Sequence, residues 1–488
     1  MAIQNQSKAD VQQILQLLKE RVESKDAEVM KGLAAAKDQT DSSIDDAYSY
    51  LQSELAKAAA HVDGESYTEG EAFHSRNPLA GLAQAHLSTE ANGVTHNDVG
   101  DALPAVVDVF GEGNPLVWAP VMVNILVEYL KPKADFKTAT DEKSYIKIPN
   151  PCTIALLGDW GADNDHAQRI AQLVRERKPE IVIHLGDIYY AGNEYECERF
   201  LANWPLEARP GNSFALNGNH EMYSRGIPYF GTVLPAFGQE ASYFTLYNDD
   251  WQIHGLDTAY VPFSIDGTVP SDKPGFWKRI GDQIGKILPF VNHENFDAKP
   301  DSRLQAQWDW VQKKLAKSGN RKNIFLSHNQ PISAYLPEFE AGSFLQEQFW
   351  RLRMTIAGGL YIVHAWFFGH EHKGTIYDDT ATEYRARLIG NGAIPHSVQA
   401  LVPPQRDETN TACTPVFTMN DKALKKDLLG LHELDLAVST FALLTLDGPD
   451  AYVEYINEDG SLFLKEKLSG KPNEVIEWGE GYGPLNKK

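Results

Sequence analysis

Five short apolar segments of this 488-residue sequence are each followed by side chains that can bind a cation or move a proton. In chain order these side chains are Asp159, Asp187, Asn219 with His220, His328, and His370 with His372. A single aspartate at the end of a strand is usually a turn or capping residue. Five such ends in order are not explained by independent turns. Carboxylate, amide and imidazole ligands together suit manganese, iron or zinc better than calcium, which prefers oxygen ligands.

The number of candidate ligands exceeds the four that one tetrahedral site uses. Two adjacent metals, about 3.5–4 Å apart, would use them all. The residues therefore predict a dinuclear metal centre. Two other chemistries are disfavoured, because the sequence has neither a G-x-S-x-G nucleophile elbow near a strand–helix junction nor a G-x-x-x-x-G-K-[ST] phosphate loop.

The first two candidate ligands follow the strands of a predicted β-α-β unit. Thr153–Leu157 and Ile181–Leu185 are short apolar runs followed by Gly-Asp, which is typical of buried strands. Asp165–Lys178, between them, has apolar residues at helical spacing and ends before Pro179. The strands of such a unit are parallel and covered on both faces, and ligands bind beyond their carboxyl ends.

The other candidate ligands also follow predicted strands. These strands and one further predicted helix are Ser213–Leu216, Tyr243–Leu246, Trp251–Leu256, the helix at 304–316, Asn323–Leu326 and Tyr361–Phe368. Alternating apolar residues after Val438, Ala451 and Gly460 predict a closing β-meander with a turn at Asp459-Gly460.

The ordered motifs resemble the five blocks of the calcineurin-like metallophosphoesterases. The blocks are D-x-G at 159–161, G-D-x-x-Y at 186–190, G-N-H-E at 218–221, a strand-end histidine at 328 and G-H-x-H at 369–372. G-D-W-G at 158–161 and the tyrosine three residues after Asp187 resemble the purple acid phosphatase branch. The resemblance spans 153–396, about half of the chain. It implies an α/β sandwich of two mixed sheets flanked by helices.

The resemblance also implies a role for each position. Asp187 bridges two metals, Asp159, Tyr190 and His372 complete the first site, and Asn219, His328 and His370 complete the second. A phenolate favours Fe(III), whereas imidazole and amide suit a divalent Fe, Zn or Mn ion. If Tyr190 turns away, Mn or Zn replaces Fe(III). A hydroxide held on the metals attacks phosphorus, and His220 contacts a phosphate oxygen or protonates the leaving oxygen. Glu221 would orient His220.

Several further polar residues lie near these motifs. Asn219 and His396, the latter in G-N-G-A-I-P-H, are candidate substrate contacts. His184 is interpreted as a core or supporting histidine beneath the site. His254 and Asp257, near the end of a sheet strand, are interpreted as structural.

The sequence pattern divides the chain into an all-helical N-terminal domain and a catalytic domain. The predicted boundaries are 1–148 for the helical domain with its linker, 149–470 for the catalytic domain, 401–432 for a surface insertion and 471–488 for a C-terminal tail. The N-terminal helices are predicted to pack on each other or on the catalytic domain. Protein binding or oligomerisation is the alternative.

Composition limits the class of partner. A net charge of −22 argues against nucleic acid or an anionic membrane, because those contacts need clustered Lys and Arg. Three cysteines are too few for a disulfide framework. The N-terminus has no apolar signal region, and the longest apolar run, 116–130, is interrupted and shorter than the roughly 20 residues that span a bilayer. We therefore expect a cytoplasmic protein whose partners do not include nucleic acid or a membrane. The resemblance implies that its substrate is a small phosphorylated molecule.

The resemblance implies a metal-dependent phosphoric ester hydrolase, with phosphomonoesters as its expected substrates. A phosphodiesterase acting on cyclic nucleotides or other small diesters is an alternative, because the motifs do not decide whether the leaving side of the pocket is open. An interaction or regulatory protein on the same scaffold is an alternative of another class. The presence of every proposed ligand and of His220 counts against it.

Overall fold

The computed structural model describes residues 134–483, apart from 162–164, 189–191, 193, 223, 261–301, 333, 335–362, 383, 394–414, 419–422 and 429–431. The predicted N-terminal helical domain up to residue 133 lies outside the described residues. So do Tyr190 and His396, two of the candidate site residues.

The described residues form helices among the first strands of the chain and strands alone after residue 322. The strands are β1 (Tyr145–Lys147), β2 (Cys152–Leu157), β3 (Ile181–His184), β4 (Ser213–Ala215), β5 (Phe244–Tyr247), β6 (Trp251–Gly255), β7 (Lys322–Ser327), β8 (Val363–Phe368), β9 (Gly374–Tyr377), β10 (Arg385–Ile389), β11 (Pro415–Thr418), β12 (Ala423–Leu428), β13 (His432–Ala437), β14 (Thr440–Asp447), β15 (Asp450–Asn457), β16 (Leu462–Lys467) and β17 (Val475–Trp478). The helices are α1 (Asp141–Ser144), α2 (Asp165–Arg177), α3 (Glu194–Asn203), α4 (Asn219–Met222), α5 (Leu234–Phe237), which follows a π-helical turn at Tyr229–Val233, and α6 (Ser302–Ala316).

Most of these strands belong to two mixed sheets. The first sheet has the order β17-β16-β15-β14-β2-β3-β4, and the second has the order β1-β5-β6-β7-β8-β10-β9-β11. β2, β3 and β4 are parallel to one another, as are β6, β7 and β8. β14 runs antiparallel to β2. The predicted parallel β-α-β unit and the predicted sandwich of mixed sheets are confirmed.

The two sheets pack face to face around a buried apolar core. This core takes residues from alternate positions of strands in both sheets, including Ile154, Leu156, Ile183, Ile253, Leu326 and Phe367. Successive residues of a strand point to opposite faces, so Ala155 and Val182 face the other side of the first sheet. There they pack with Ile170 and Val174 of α2 and with Phe200 of α3. The near-continuous apolar character of β2 and β3 is explained by this burial on both faces.

Helix α6 covers the outer face of the second sheet. Trp310 and Val311 of α6 pack against Phe325 of β7 and Trp366 of β8. The outer helices thus hold the parallel strands between two apolar layers. Among the described residues, none of the helices combines the length and the apolar character that a membrane crossing requires.

The structure differs from the sequence prediction at the margins of the catalytic domain. The closing meander is part of the first sheet, because Leu444 of β14 pairs with Ile154 of β2. Strand β17 lies in the segment predicted as a tail, and β1 precedes the boundary predicted at 149. The segment predicted as a surface insertion contains β11, which extends the second sheet. These strands have only three or four residues, too few for a clear alternation of apolar and polar positions.

Candidate metal centre

Strand ends from both sheets converge at one edge of the sandwich. Asp159 follows β2, Asp187 follows β3, Asn219 and His220 begin α4 after β4, His328 follows β7, and His370 and His372 follow β8. The carboxyl ends of parallel strands lie at the same edge of a sheet, and the face-to-face packing brings the two edges together. The structure therefore places these side chains in one site.

Two groups of ligand atoms in this site share one carboxylate. Asp187, His328 and His370 form one group, and Asp159, Asp187 and His372 form the other, with the ligand atoms of each group within 4.8 Å of one another. His328 Nε2 lies 3.2 Å from Asp187 Oδ1, and His372 Nε2 lies 3.6 Å from Asp159 Oδ1. Asp187 thus has the position that a bridging carboxylate requires.

Asn219 belongs with the first of these groups. Its Oδ1 lies 2.9 Å from His328 Nε2, on the side of the ring that also faces Asp187. The other ring nitrogen of His328 donates to the carbonyl of Leu185 at 3.0 Å. Such a bond orients a ligating imidazole and raises its basicity. The ring of His370 lies close by, with centroids 5.0 Å apart.

Four of the candidate ligands have left-handed backbone conformations. The φ angles are 55° at Asp159, 72° at Asp187, 73° at His370 and 42° at His372. Residues with a Cβ rarely adopt this region, and each costs roughly 1–3 kcal/mol when the surrounding structure holds it there. Strain of this kind clusters at sites where side chains must be aimed.

The glycines of the motifs make room for the carboxylates. A Cβ on Gly218 would lie 2.1 Å from Asp187 Oδ1, and one on Gly369 would lie 2.4 Å from Asp159 Oδ2. Only glycine fits at these two positions. Close packing against Asp187 and Asp159 therefore explains why the G-N-H-E and G-H-x-H motifs each begin with glycine.

The electrostatics of the site favour bound cations. Burial opposes ionisation of Asp187, but the His328 and His220 rings outweigh burial and hold the pKa of this carboxyl well below its usual range. Asp187 Oδ2 is buried and has no hydrogen-bond partner. Burial and the neighbouring His328 lower the pKa of His370 to about 3, so its ring is neutral and offers a lone pair. A buried anion with an orphaned oxygen, beside a neutral imidazole, fits a pair of metal ions.

His220 lies beside the shared carboxylate and belongs to neither group. Its Nε2 is 3.7 Å from Asp187 Oδ2, and its backbone N–H donates to Asp187 Oδ1 at 3.1 Å. The side chain is 7% exposed. This placement suits a group that faces the substrate more than it suits a metal ligand.

Glu221 does not orient His220 as the sequence predicted. Its buried carboxylate accepts hydrogen bonds from the backbone N–H groups of Gly218, Asp187 and Ile188. Burial and the nearby Asp187 charge raise the pKa of Glu221 to about 8. Adjacent side chains of a helical turn point in different directions, which explains why Glu221 reaches these backbone amides instead.

Backbone hydrogen bonds after β10 connect two loops of the site, a feature that was not predicted from the sequence. Gly390 N donates to Lys373 O at 2.9 Å, and Gly392 N donates to Gly158 O at 3.0 Å. Asn391, between them, donates its amide to Val438 O at 3.1 Å. This segment joins the loop that carries Asp159 to the loop that carries His372. The G-N-G triplet at 390–392 is the sequence feature that could have indicated this segment, but it was considered only as part of the motif that contains His396.

The remaining polar residues near the site have supporting positions. His184 is fully buried, with its ring 4.8 Å from that of Phe200, as expected for a core histidine. His254 bonds within the second sheet, to Thr245 and Asn323. The Asp257 carboxylate accepts from the amide of Asn217 at 3.2 Å, directly before the G-N-H-E motif. His184 and His254 therefore have structural roles, while Asp257 holds a residue next to the site.

Residues 152–374 match the sequence model of the calcineurin-like phosphoesterase family. No curated protein sequence gives a significant match.

Several solved structures resemble the chain at low sequence identity. A purple acid phosphatase from yellow lupin is 15% identical with a TM-score of 0.41, over 65% of this chain and 53% of that protein. A dimetal phosphatase from Danio rerio is 14% identical with a TM-score of 0.35, over 67% of this chain and 100% of that one. GAP50 of Plasmodium, the anchor in the inner membrane complex, is 13% identical with a TM-score of 0.38. This match covers 68% of this chain and 90% of GAP50. The matched part of this chain spans about half the length of the lupin protein.

Proposed function

We propose that this chain, which matches the calcineurin-like phosphoesterase family over residues 152–374, hydrolyses phosphate esters at a dinuclear metal centre. The observation that carries the proposal is the shared position of Asp187 between two groups of potential ligands. One carboxylate common to two sites lets two cations lie close together. Two metals at such a distance can bind both the attacking and the leaving oxygen of a phosphoryl displacement.

Each proposed metal position has its own set of ligands. Asp159, Asp187, His372 and Tyr190 would hold the first metal, and Asp187, Asn219, His328 and His370 the second. With Tyr190 as a ligand, the first metal would be Fe(III) and the second a divalent Fe, Zn or Mn ion. When bound, the metals supply charge for the phosphate oxygens and lower the pKa of an attacking water toward about 7.

The protein's own side chains perform the remaining steps. Asp187 stays ionised at neutral pH, because the surrounding histidines hold its pKa low, and its charge would help to hold both metals. His220, beside Asp187, donates a hydrogen bond to a phosphate oxygen or a proton to the leaving oxygen. Asn219, among the proposed ligands of the second metal, can also contact this phosphate. We assign phosphomonoesters as the substrate class, with small phosphorylated molecules in the cytoplasm as the physiological partners.

Metal analysis and paired rate measurements test this proposal. Purified full-length protein should contain about two metal ions per chain of iron, zinc or manganese, as expected for a two-metal site. With those metals added, it should hydrolyse 4-nitrophenyl phosphate faster than bis(4-nitrophenyl) phosphate. The opposite order of rates would favour the phosphodiesterase alternative. Bound metals without hydrolysis of either ester would favour a regulatory scaffold, and protein unable to acquire any of these metals would end the proposal.

A further inference from the structure

Three backbone amides converge on the carboxylate of Glu221. Its Oε2 accepts from Gly218 N at 2.9 Å and from Asp187 N at 3.2 Å, and its Oε1 accepts from Ile188 N at 3.0 Å. Glu221 itself is fully buried. Two of these amides belong to the loop after β3 and the third belongs to the loop after β4. One side chain therefore joins the loop of Asp187 to the loop of Asn219.

The backbone that Glu221 holds is strained. Asp187 has a φ angle of 72°, in the left-handed region that residues with a Cβ rarely adopt. The Asp187 and Ile188 amides that bond to Glu221 lie on either side of the Asp187 Cα. Strained conformations persist only where surrounding contacts determine them. Glu221 bonds to the backbone of both loops, and the Asp187 carboxylate adds one further bond between them by accepting from His220 N at 3.1 Å, so Glu221 supplies three of these four bonds that fix their separation.

We infer that Glu221 is a positioning residue that holds Asp187 and Asn219 at the separation which the two proposed metals require. This inference rests on the proposed function, because it concerns the same site. Glu221 touches neither substrate nor metal and acts through the backbone of the two loops. Residues that orient metal ligands typically change metal affinity or activity by about 10–100-fold when they are mutated.

The substitution Glu221→Gln tests this role with little change in volume. A glutamine has one acceptor oxygen and an NH₂ group in place of the second oxygen. Whichever way the amide is turned, a donor then faces at least one of the three backbone N–H groups. We expect the Zn²⁺ dissociation constant of the full-length protein to rise by about 10–100-fold. The same variant should lower kcat at saturating Zn²⁺, with a smaller change in KM, because the ligands are misplaced in the loaded enzyme.

Glu466→Gln is a matched control. Glu466 is also a buried carboxylate, and it also accepts three hydrogen bonds, from Nε and Nη2 of Arg387 and from the hydroxyl of Tyr455. It lies on β16, which carries none of the site residues. Both variants should lower the temperature of unfolding, but Glu466→Gln should leave the Zn²⁺ affinity within about twofold of the unmodified protein, because distant sites act independently.

The measurement is Zn²⁺ bound per chain by equilibrium dialysis and elemental analysis, well below the unfolding temperature. Weaker Zn²⁺ binding in Glu221→Gln alone supports the inference. Unchanged binding in Glu221→Gln, or an equal loss in both variants, overturns it. If Glu221→Gln does not fold, Glu221→Asp keeps a carboxyl group but withdraws its oxygens by one methylene, and it must also weaken Zn²⁺ binding. Failure of the unmodified protein to bind Zn²⁺ or any other metal would instead refute the proposed function.

Discussion

Replacing Gly218 by alanine should disrupt the metal centre by a steric effect alone. The new Cβ would lie 2.1 Å from Asp187 Oδ1 and 2.4 Å from the backbone nitrogen of Asp187. A side chain can rotate away, but a backbone nitrogen can move only with its loop. Because Gly218 does not have a left-handed φ, Gly218→Ala adds no backbone strain that would confuse the result.

The size of the effect follows from these distances. Ordinary van der Waals contact begins at 3.4 Å, so the loops of Asp187 and Asn219 must separate by about 1 Å. A misplacement of about 1 Å can lower the rate of an enzyme by about 100-fold. We therefore expect Gly218→Ala to reduce kcat on 4-nitrophenyl phosphate by about this factor, and to weaken metal binding by about 10–100-fold.

The assay compares Gly218→Ala with Gly231→Ala. Gly231 is exposed in the π-helical turn, and a Cβ there would meet nothing within 4 Å. Gly231→Ala should keep the metal content and the rate of the unmodified protein, with equal or slightly greater stability. Normal metal content and rate in Gly218→Ala would refute the reasoning, because they would show that Asp187 tolerates displacement by about 1 Å.

Three further predictions concern other residues. His220→Ala should keep the metals and lower the rate by about 100–10,000-fold, as for a lost general acid; if elemental analysis shows that metal is lost too, the role of His220 is wrong. Tyr190→Phe should abolish a visible absorption band of the iron-loaded protein if Tyr190 ligates Fe(III), and a band that survives excludes this ligand. Burial opposes ionisation of Glu458, but His166 and Arg169 outweigh burial and lower its pKa to about 2. Its stabilising contribution of about 3 kcal/mol is present above pH 4.5 and is lost as the pH falls toward 2. Glu458→Gln should therefore flatten the acid side of the curve of unfolding free energy against pH, and an unchanged curve in that range would contradict this.

Much of the fold was predictable from local patterns. The apolar runs before Asp159 and Asp187 have the length and the flanking glycines of buried strands, and the helix between them has a clear apolar face. Because consecutive parallel strands end at one edge, the order of elements alone predicted that the side chains after them would meet. The short strands β1 and β17 were missed, because three or four residues carry too little periodicity to predict a strand.

The sequence by itself determined the types of side chain at the site and the order in which strands deliver them. Side-chain chemistry is a property of each residue, and the strand pattern is local, so both can be read without coordinates. The resemblance had implied a bridging role for Asp187, and the tertiary structure brings two ligand groups together around it. Only the tertiary structure decided that Glu221 binds backbone amides and that Gly390 and Gly392 join two loops. These features depend on distances between segments far apart in the chain. The packing of the two sheets sets those distances, and no sequence pattern within a single segment reveals how the sheets pack.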